Sequence, residues 1–104
     1  MTVGNIQEPT RNEAVVVGTS NVILSEARNE DNKRKDILVR NISPNAADII
    51  SVNVGYGQAV ANQGIVLKQY ESFTYSTSQG YEPYQGVITA VCATVNGKVA
   101  IFER

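Results

Sequence analysis

The chain has 104 residues, 42% of them hydrophobic and 18% charged, which fits one domain with one modest core and is too apolar for a disordered chain. Nine basic and ten acidic residues leave a net charge of −1, so no field of one sign is available to hold nucleic acid or an acidic membrane. One cysteine, Cys92, and no histidine exclude an intrachain disulfide and the usual zinc ligand sets, and no cofactor is expected.

The first thirteen residues, among them Gly4, Asn5, Pro9, Thr10 and Asn12, show no repeating apolar face. They read as an irregular arm, residues 1–13, ahead of a folded domain, residues 14–104. Met1 to Arg11 has neither a basic leader nor an apolar stretch, so no secretory signal is expected there. Ala14 to Val17 is among the longest apolar runs, far short of the roughly 20 residues that cross a bilayer, and no membrane span is expected.

Ala14 to Val17 and Val22 to Leu24 are short β-branched runs separated by the turn cluster Gly18 to Asn21, which predicts two strands. Ser25 to Lys33 is polar and charged and reads as a solvated loop. Ile37 to Ile42 is a third strand, closed by Ser43, Pro44 and Asn45. Ile50, Val52, Val54 and Tyr56 alternate with Ser51, Asn53 and Gly55, a period of two that puts one apolar face inward. Gly55, Gly57, Asn62 and Gly64 mark irregular chain, then Ile65 to Leu67 forms a short strand. Glu71 to Ser76 alternates again, with Phe73 and Tyr75 on one side.

Gly86 to Val95 is apolar on both faces and reads as a central strand. Asn96-Gly97 follows it, a strong two-residue hairpin signal because both positions tolerate φ > 0, with Val99 to Phe102 as the returning strand. About eight short strands with turns between them predict an all-β fold. The expected form is a single antiparallel β-sandwich or jelly roll, with a β-barrel as the alternative.

No residue set points to catalysis. Without histidine the usual base for a serine nucleophile is missing, and nothing selects two carboxylates for acid-base work. Gly55-Tyr56-Gly57 lacks the third glycine and the helix of a dinucleotide fingerprint and reads as a bend at a strand end. Lys33-Arg34-Lys35 is flanked by Asp31 and Asp36, which cancel its field, and reads as a solvated strand entrance. Cys92 falls in the most apolar strand and is expected as a buried thiol. Asn41-Ile42-Ser43 fits a glycosylation acceptor pattern, but Pro44 follows it and no glycan is expected. Tyr56, Tyr70, Tyr81 and Tyr84 are the candidate interface residues, because exposed tyrosines anchor interfaces and stack on sugars. Tyr75 is expected in the core.

Asn32-Lys33-Arg34-Lys35 leads into Asp36-Ile37-Leu38-Val39-Arg40-Asn41 and then Ser43-Pro44. Val52 to Gly57, Gly64-Ile65-Val66-Leu67, Tyr70-Glu71-Ser72-Phe73 and Tyr84 to Val91 follow in order. This succession resembles small β-sandwich domains in virion proteins of bacteriophages and related viruses, over about Val15 to Glu103. One departure is the turn Leu67-Lys68-Gln69-Tyr70, where such domains often carry Pro-Gly. The resemblance implies a capsid-associated, decoration, fibre-base or tail component that assembles with itself and with other virion proteins. It implies a place in the virion, assembled in the host cytoplasm, and no catalytic residues. A small carbohydrate-binding or adhesion module using the tyrosines is the alternative expectation.

Overall fold

The computed structural model describes residues 11–80 and 82–104. Eight strands follow in chain order: β1 (Arg11–Val17), β2 (Val22–Ser25), β3 (Asp36–Asn41), β4 (Ile50–Val54), β5 (Ile65–Leu67), β6 (Ser72–Ser76), β7 (Ile88–Cys92) and β8 (Gly97–Glu103). The helical segments among the described residues are two single 3-10 turns, Glu30–Asn32 and Thr77–Gln79. Asn29 caps the first by accepting a hydrogen bond from the Asp31 amide.

The strands form two four-stranded antiparallel sheets, ordered β1-β8-β3-β6 and β2-β7-β4-β5. β1 pairs with β8, β2 with β7, β3 with β6 and β4 with β5. The chain is thus one long hairpin with its tip between β4 and β5, rolled so that β3 meets β8 and β4 meets β7. That winding is a jelly roll, one of the two forms the sequence predicts.

Alternation explains the layers. β8 reads buried at Val99, Ile101 and Glu103 and open at Lys98 and Phe102, and β3 buries Ile37 and Val39 while exposing Arg40. Between the sheets lie Val17, Leu24, Ile37, Val39, Ile50, Val52, Ile88, Val99 and Ile101, all at most 1% exposed. Truncating one such Leu or Ile to Ala costs about 2–5 kcal/mol. β7 is buried on both faces because it lies between β2 and β4 and is covered from outside. The cover is the 55–64 loop, which folds back over its own sheet. There the Ala59 amide donates to Thr89 Oγ1 at 3.0 Å and the Asn62 amide to Ser51 Oγ at 2.8 Å. Gly64 makes this return at φ 76°, where a Cβ would lie 3.1 Å from the Val52 carbonyl.

Several expectations change. β1 begins at Arg11, so Arg11, Asn12 and Glu13 belong to the sheet, paired with Glu103, Phe102 and Ile101, and not to the arm. Residues 1–10 lie outside the described residues. The Asn96-Gly97 hairpin does not form, because β7 and β8 belong to different sheets. Neither residue has positive φ. The Cys92 amide donates to the Gly18 carbonyl at 2.7 Å, and Thr94 Oγ1 accepts from the Asn96 amide and donates to Asp48. These bonds carry the chain across the sandwich. Gly97 is small for another reason: a Cβ there would strike the Val17 carbonyl and stand 2.7 Å from Cys92 Sγ. Tyr56 also leaves the inward row of Ile50 and Val52, since β4 stops at Val54.

Candidate functional site

One end of the sandwich is closed by a buried charge cluster. Arg34 is 0% exposed, which corrects the reading of Lys33-Arg34-Lys35 as a solvated entrance. Its Nε donates to Glu103 Oε2 at 2.8 Å, and its Nη2 donates to Ser25 Oγ at 2.7 Å and to the Glu26 carbonyl at 2.9 Å. Its Nη1 donates to the Tyr84 carbonyl. Gln85 completes the clasp, with its side chain accepting from the Arg34 amide and donating to the Arg34 carbonyl at 2.9 Å. Burial places the guanidinium where every donor needs a partner, and these partners come from segments far apart in sequence.

Glu103 also faces Arg28 and Arg11, each at 3.4 Å, and accepts from Ser25 Oγ. Burial pushes its carboxyl pKa up, but the hydrogen bonds from Arg34 and Ser25 and the charges of Arg28 and Arg34 outweigh this and hold it below its ordinary value. A carboxylate so held is a weak general base, and Ser25 is only 2% exposed. The arrangement fastens β2, β3, β8 and the Tyr84–Gly86 segment together and offers no poised nucleophile. Two cavities lie beside it, one of about 340 Å³ along Arg11, Ser25 and Arg28 and one of about 400 Å³ along Arg28, Lys33 and Arg104, and several of the charges that line them are paired. Lys33 meets Glu30 and Glu82, Arg104 meets Asp36, and Arg11 meets Glu13. Among the described residues no three metal-ligating side chains gather where an ion could be held.

At the other end Asn41, 0% exposed, joins the sheets. Its Nδ2 donates to the Asp48 carbonyl at 2.8 Å and the Leu67 carbonyl at 2.9 Å, and its Oδ1 accepts from the Ser43 amide. The amide of the glycosylation pattern is fully engaged inside the protein. Cys92 is 2% exposed and free.

The tyrosines do not form one platform. Tyr56 stands on the 55–64 loop with 99% of its surface exposed, and Tyr70 is 60% exposed in the β5–β6 turn. Tyr70 lies at the Asn41 end, where its amide donates to the Asn41 carbonyl at 2.7 Å, whereas Tyr84 lies at the Arg34 end. Tyr84 and Tyr75 are half-buried and pack on the core. Tyr81 lies outside the described residues. Tyr84, Tyr75, Phe73, Ile65 and Val54 line an open groove of about 400 Å³ on the flank where edge strands β5 and β6 face each other.

A surface that the sequence did not single out is the outer face of the β1-β8-β3-β6 sheet. Register places Asn12, Phe102, Leu38 and Thr74 in one row, Ala14, Ala100, Arg40 and Ser72 in the next, and Val16 beside Lys98. Val16 is 70% and Phe102 41% exposed, Ala14 and Ala100 lie between them, and Leu38 lies beside Phe102 on β3. The alternation of β1 and β8 could have shown which residues face out, but their lateral neighbours depend on the pairing.

No helix among the described residues is long and apolar enough to cross a membrane. Comparison with protein-family models, curated proteins and solved structures returns no match.

Proposed function

We infer that this domain is a structural component of a virion, capsid-associated or otherwise, that works by assembling with copies of itself and with other virion proteins rather than by catalysis. The observation that carries this reading is the contiguous apolar face of Val16, Ala14, Ala100, Phe102 and Leu38 on the outside of a finished sandwich. Single exposed apolar residues are ordinary, whereas a connected patch marks a contact surface. β1 adds an edge to the same face that is unpaired among the described residues, seven residues long and without a bulge against β8. The resemblance of the strand succession to phage virion domains agrees with this. The jelly roll alone does not decide it, since the architecture also serves lectins.

Light scattering coupled to size-exclusion chromatography tests the reading. The wild-type chain is expected to form a defined oligomer, and Phe102→Lys to shift it toward monomer with an unchanged far-ultraviolet spectrum. A wild-type chain that stays monomeric at millimolar concentration and fails to join particles would sink the proposal.

A second reading rests on Tyr56 and Tyr70. Aromatic rings open to solvent at loop tips are suited to stacking on sugars, so a monomeric chain whose tyrosine fluorescence changes with added glycans would favour a carbohydrate-binding module.

A further inference from the structure

The β7–β8 corner carries a dipeptide, Asn96-Gly97, that serves as no hairpin. Asn96 is exposed in the turn ahead of β8, and its amide donates to Thr94 Oγ1 at 3.1 Å. Among the described residues its carboxamide has no hydrogen-bond partner. Other asparagines are held: Asn21 bonds both the amide and the carbonyl of Ala59, Asn29 caps a 3-10 turn, Asn53 donates to two carbonyls and Asn41 is buried. Gly97 has no side chain to shield its amide nitrogen, and the fold leaves no room for one, because a Cβ would strike the Val17 carbonyl and Cys92. Gly97 and Val17 form the terminal pair of the β1–β8 ladder. Ladder ends open at small cost, so the Gly97 nitrogen is released without unzipping the sheet.

We propose that Asn96 is a self-modification site, at which the Gly97 amide nitrogen closes on the Asn96 side chain to form a succinimide that water opens to aspartate or isoaspartate. The nitrogen bonds to Asn96 Cγ, its proton passes to solvent base, and the side-chain nitrogen leaves as ammonia. Closure needs the Asn96–Gly97 peptide to turn its nitrogen toward the side chain, which the terminal place of the Gly97–Val17 pair allows. Water then breaks one of the two ring C–N bonds. Breaking the bond at Cγ restores the main chain with an aspartate. Breaking the bond at the main-chain carbonyl leaves an isoaspartate, whose backbone runs through Cγ and is one methylene longer. Water is the sole co-reactant, and the exposure of Asn96 admits it. The chemistry is independent of how the domain assembles.

Both products act on the corner that carries the chain from one sheet to the other. Thr94 Oγ1 links the Asn96 amide to the carboxylate of Asp48, which is 1% exposed. A new carboxylate on the side chain of position 96 brings a second negative charge to that network, and like charges oppose each other. Isoaspartate also lengthens the main chain just ahead of Gly97, which has no space to shift against Val17 and Cys92. The Val17–Gly97 and Val16–Lys98 pairs therefore loosen first.

Peptide mapping by mass spectrometry on the full folded chain, aged at mildly alkaline pH, provides the test. Asn96 is expected to convert at least tenfold faster than Asn45 and Asn62, which are also exposed but precede Ala46 and Gln63. Ammonia is expected in step with the conversion, isoaspartate among the products, and a slower reaction at mildly acidic pH. Asn96→Gln is expected to suppress it. The same chain unfolded in urea reports the dipeptide without the fold. Conversion in urea with Asn96 intact in the folded chain overturns the proposal, because the β1–β8 pairing then holds the nitrogen. Folded-state conversion no faster than at Asn45 and Asn62 overturns it as well. The separated isoaspartate form is expected to melt below the unmodified chain and below Asn96→Asp, which adds the charge at unchanged chain length. Equal melting temperatures for all three would overturn the loosening of the corner.

Discussion

Arg34 illustrates how a charge becomes structural. On a surface an arginine-glutamate pair contributes at most about 1 kcal/mol, but Arg34 is fully buried and its donors serve Glu103, Ser25 and backbone carbonyls of two segments. Replacing it with Met would leave Glu103 short of its closest cation and several carbonyls without donors. Arg34→Met is expected to cost about 3–5 kcal/mol, read as a lower urea midpoint. Titration gives an independent check. Glu103 has a pKa below its ordinary 4.5, and Asp36, which accepts from Ser76 and Arg104, lies below its ordinary 3.8. A depressed carboxyl contributes stability that is complete above its unfolded value and is lost as pH falls through the folded one. Urea midpoints are therefore expected to hold level down to about pH 5 and to fall below 4.5, with Arg11, Arg28 and Arg34 left facing a neutral acid. A midpoint indifferent to acid would contradict this account of the cluster.

At the scale of elements, the corners carry the departures from sequence logic. The β5–β6 turn holds Tyr70 at φ 68°, a region that suits glycine, and the turn is held by the Glu71 amide donating to the Lys68 carbonyl at 3.0 Å. This is the turn where virion domains of the resembled kind often carry Pro-Gly. A bulky residue in that conformation costs energy of order 1–3 kcal/mol. Tyr70→Gly is expected to change stability by no more than about 1 kcal/mol, because strain relief offsets the added freedom of the unfolded chain. Any accompanying loss of association would then report the ring itself. The β7–β8 corner departs in another way. Asn96-Gly97 has the residues of a hairpin, yet Thr94, Asp48 and the Gly18 carbonyl take the local hydrogen bonds and the strands part to opposite sheets. Turn propensity is local, whereas pairing depends on where each strand buries its inward side chains.

For the molecule as a whole, the surfaces that stay open among the described residues include the outer face around Phe102, the edge of β1 and the loop that carries Tyr56. Much of the charge at the Arg34 end is paired within the protein, whereas the outer face around Phe102 is mainly apolar. The sequence by itself determined the all-β class, eight strands near their observed positions, the buried β7 and Cys92. Each of these follows from a period of two or from local composition, which need no knowledge of distant partners. It also marked Tyr56 and Tyr70 by residue type. Only the tertiary structure decided which strands pair, that Arg34 is buried against Glu103 sixty-nine positions away, that Asn41 joins the sheets, and that Val54, Phe73 and Tyr84 share one groove. The physical reason is the same each time. The environment of these groups is made by chain segments far apart in sequence, and a polar side chain looks alike in the sequence whether water or another part of the protein satisfies it.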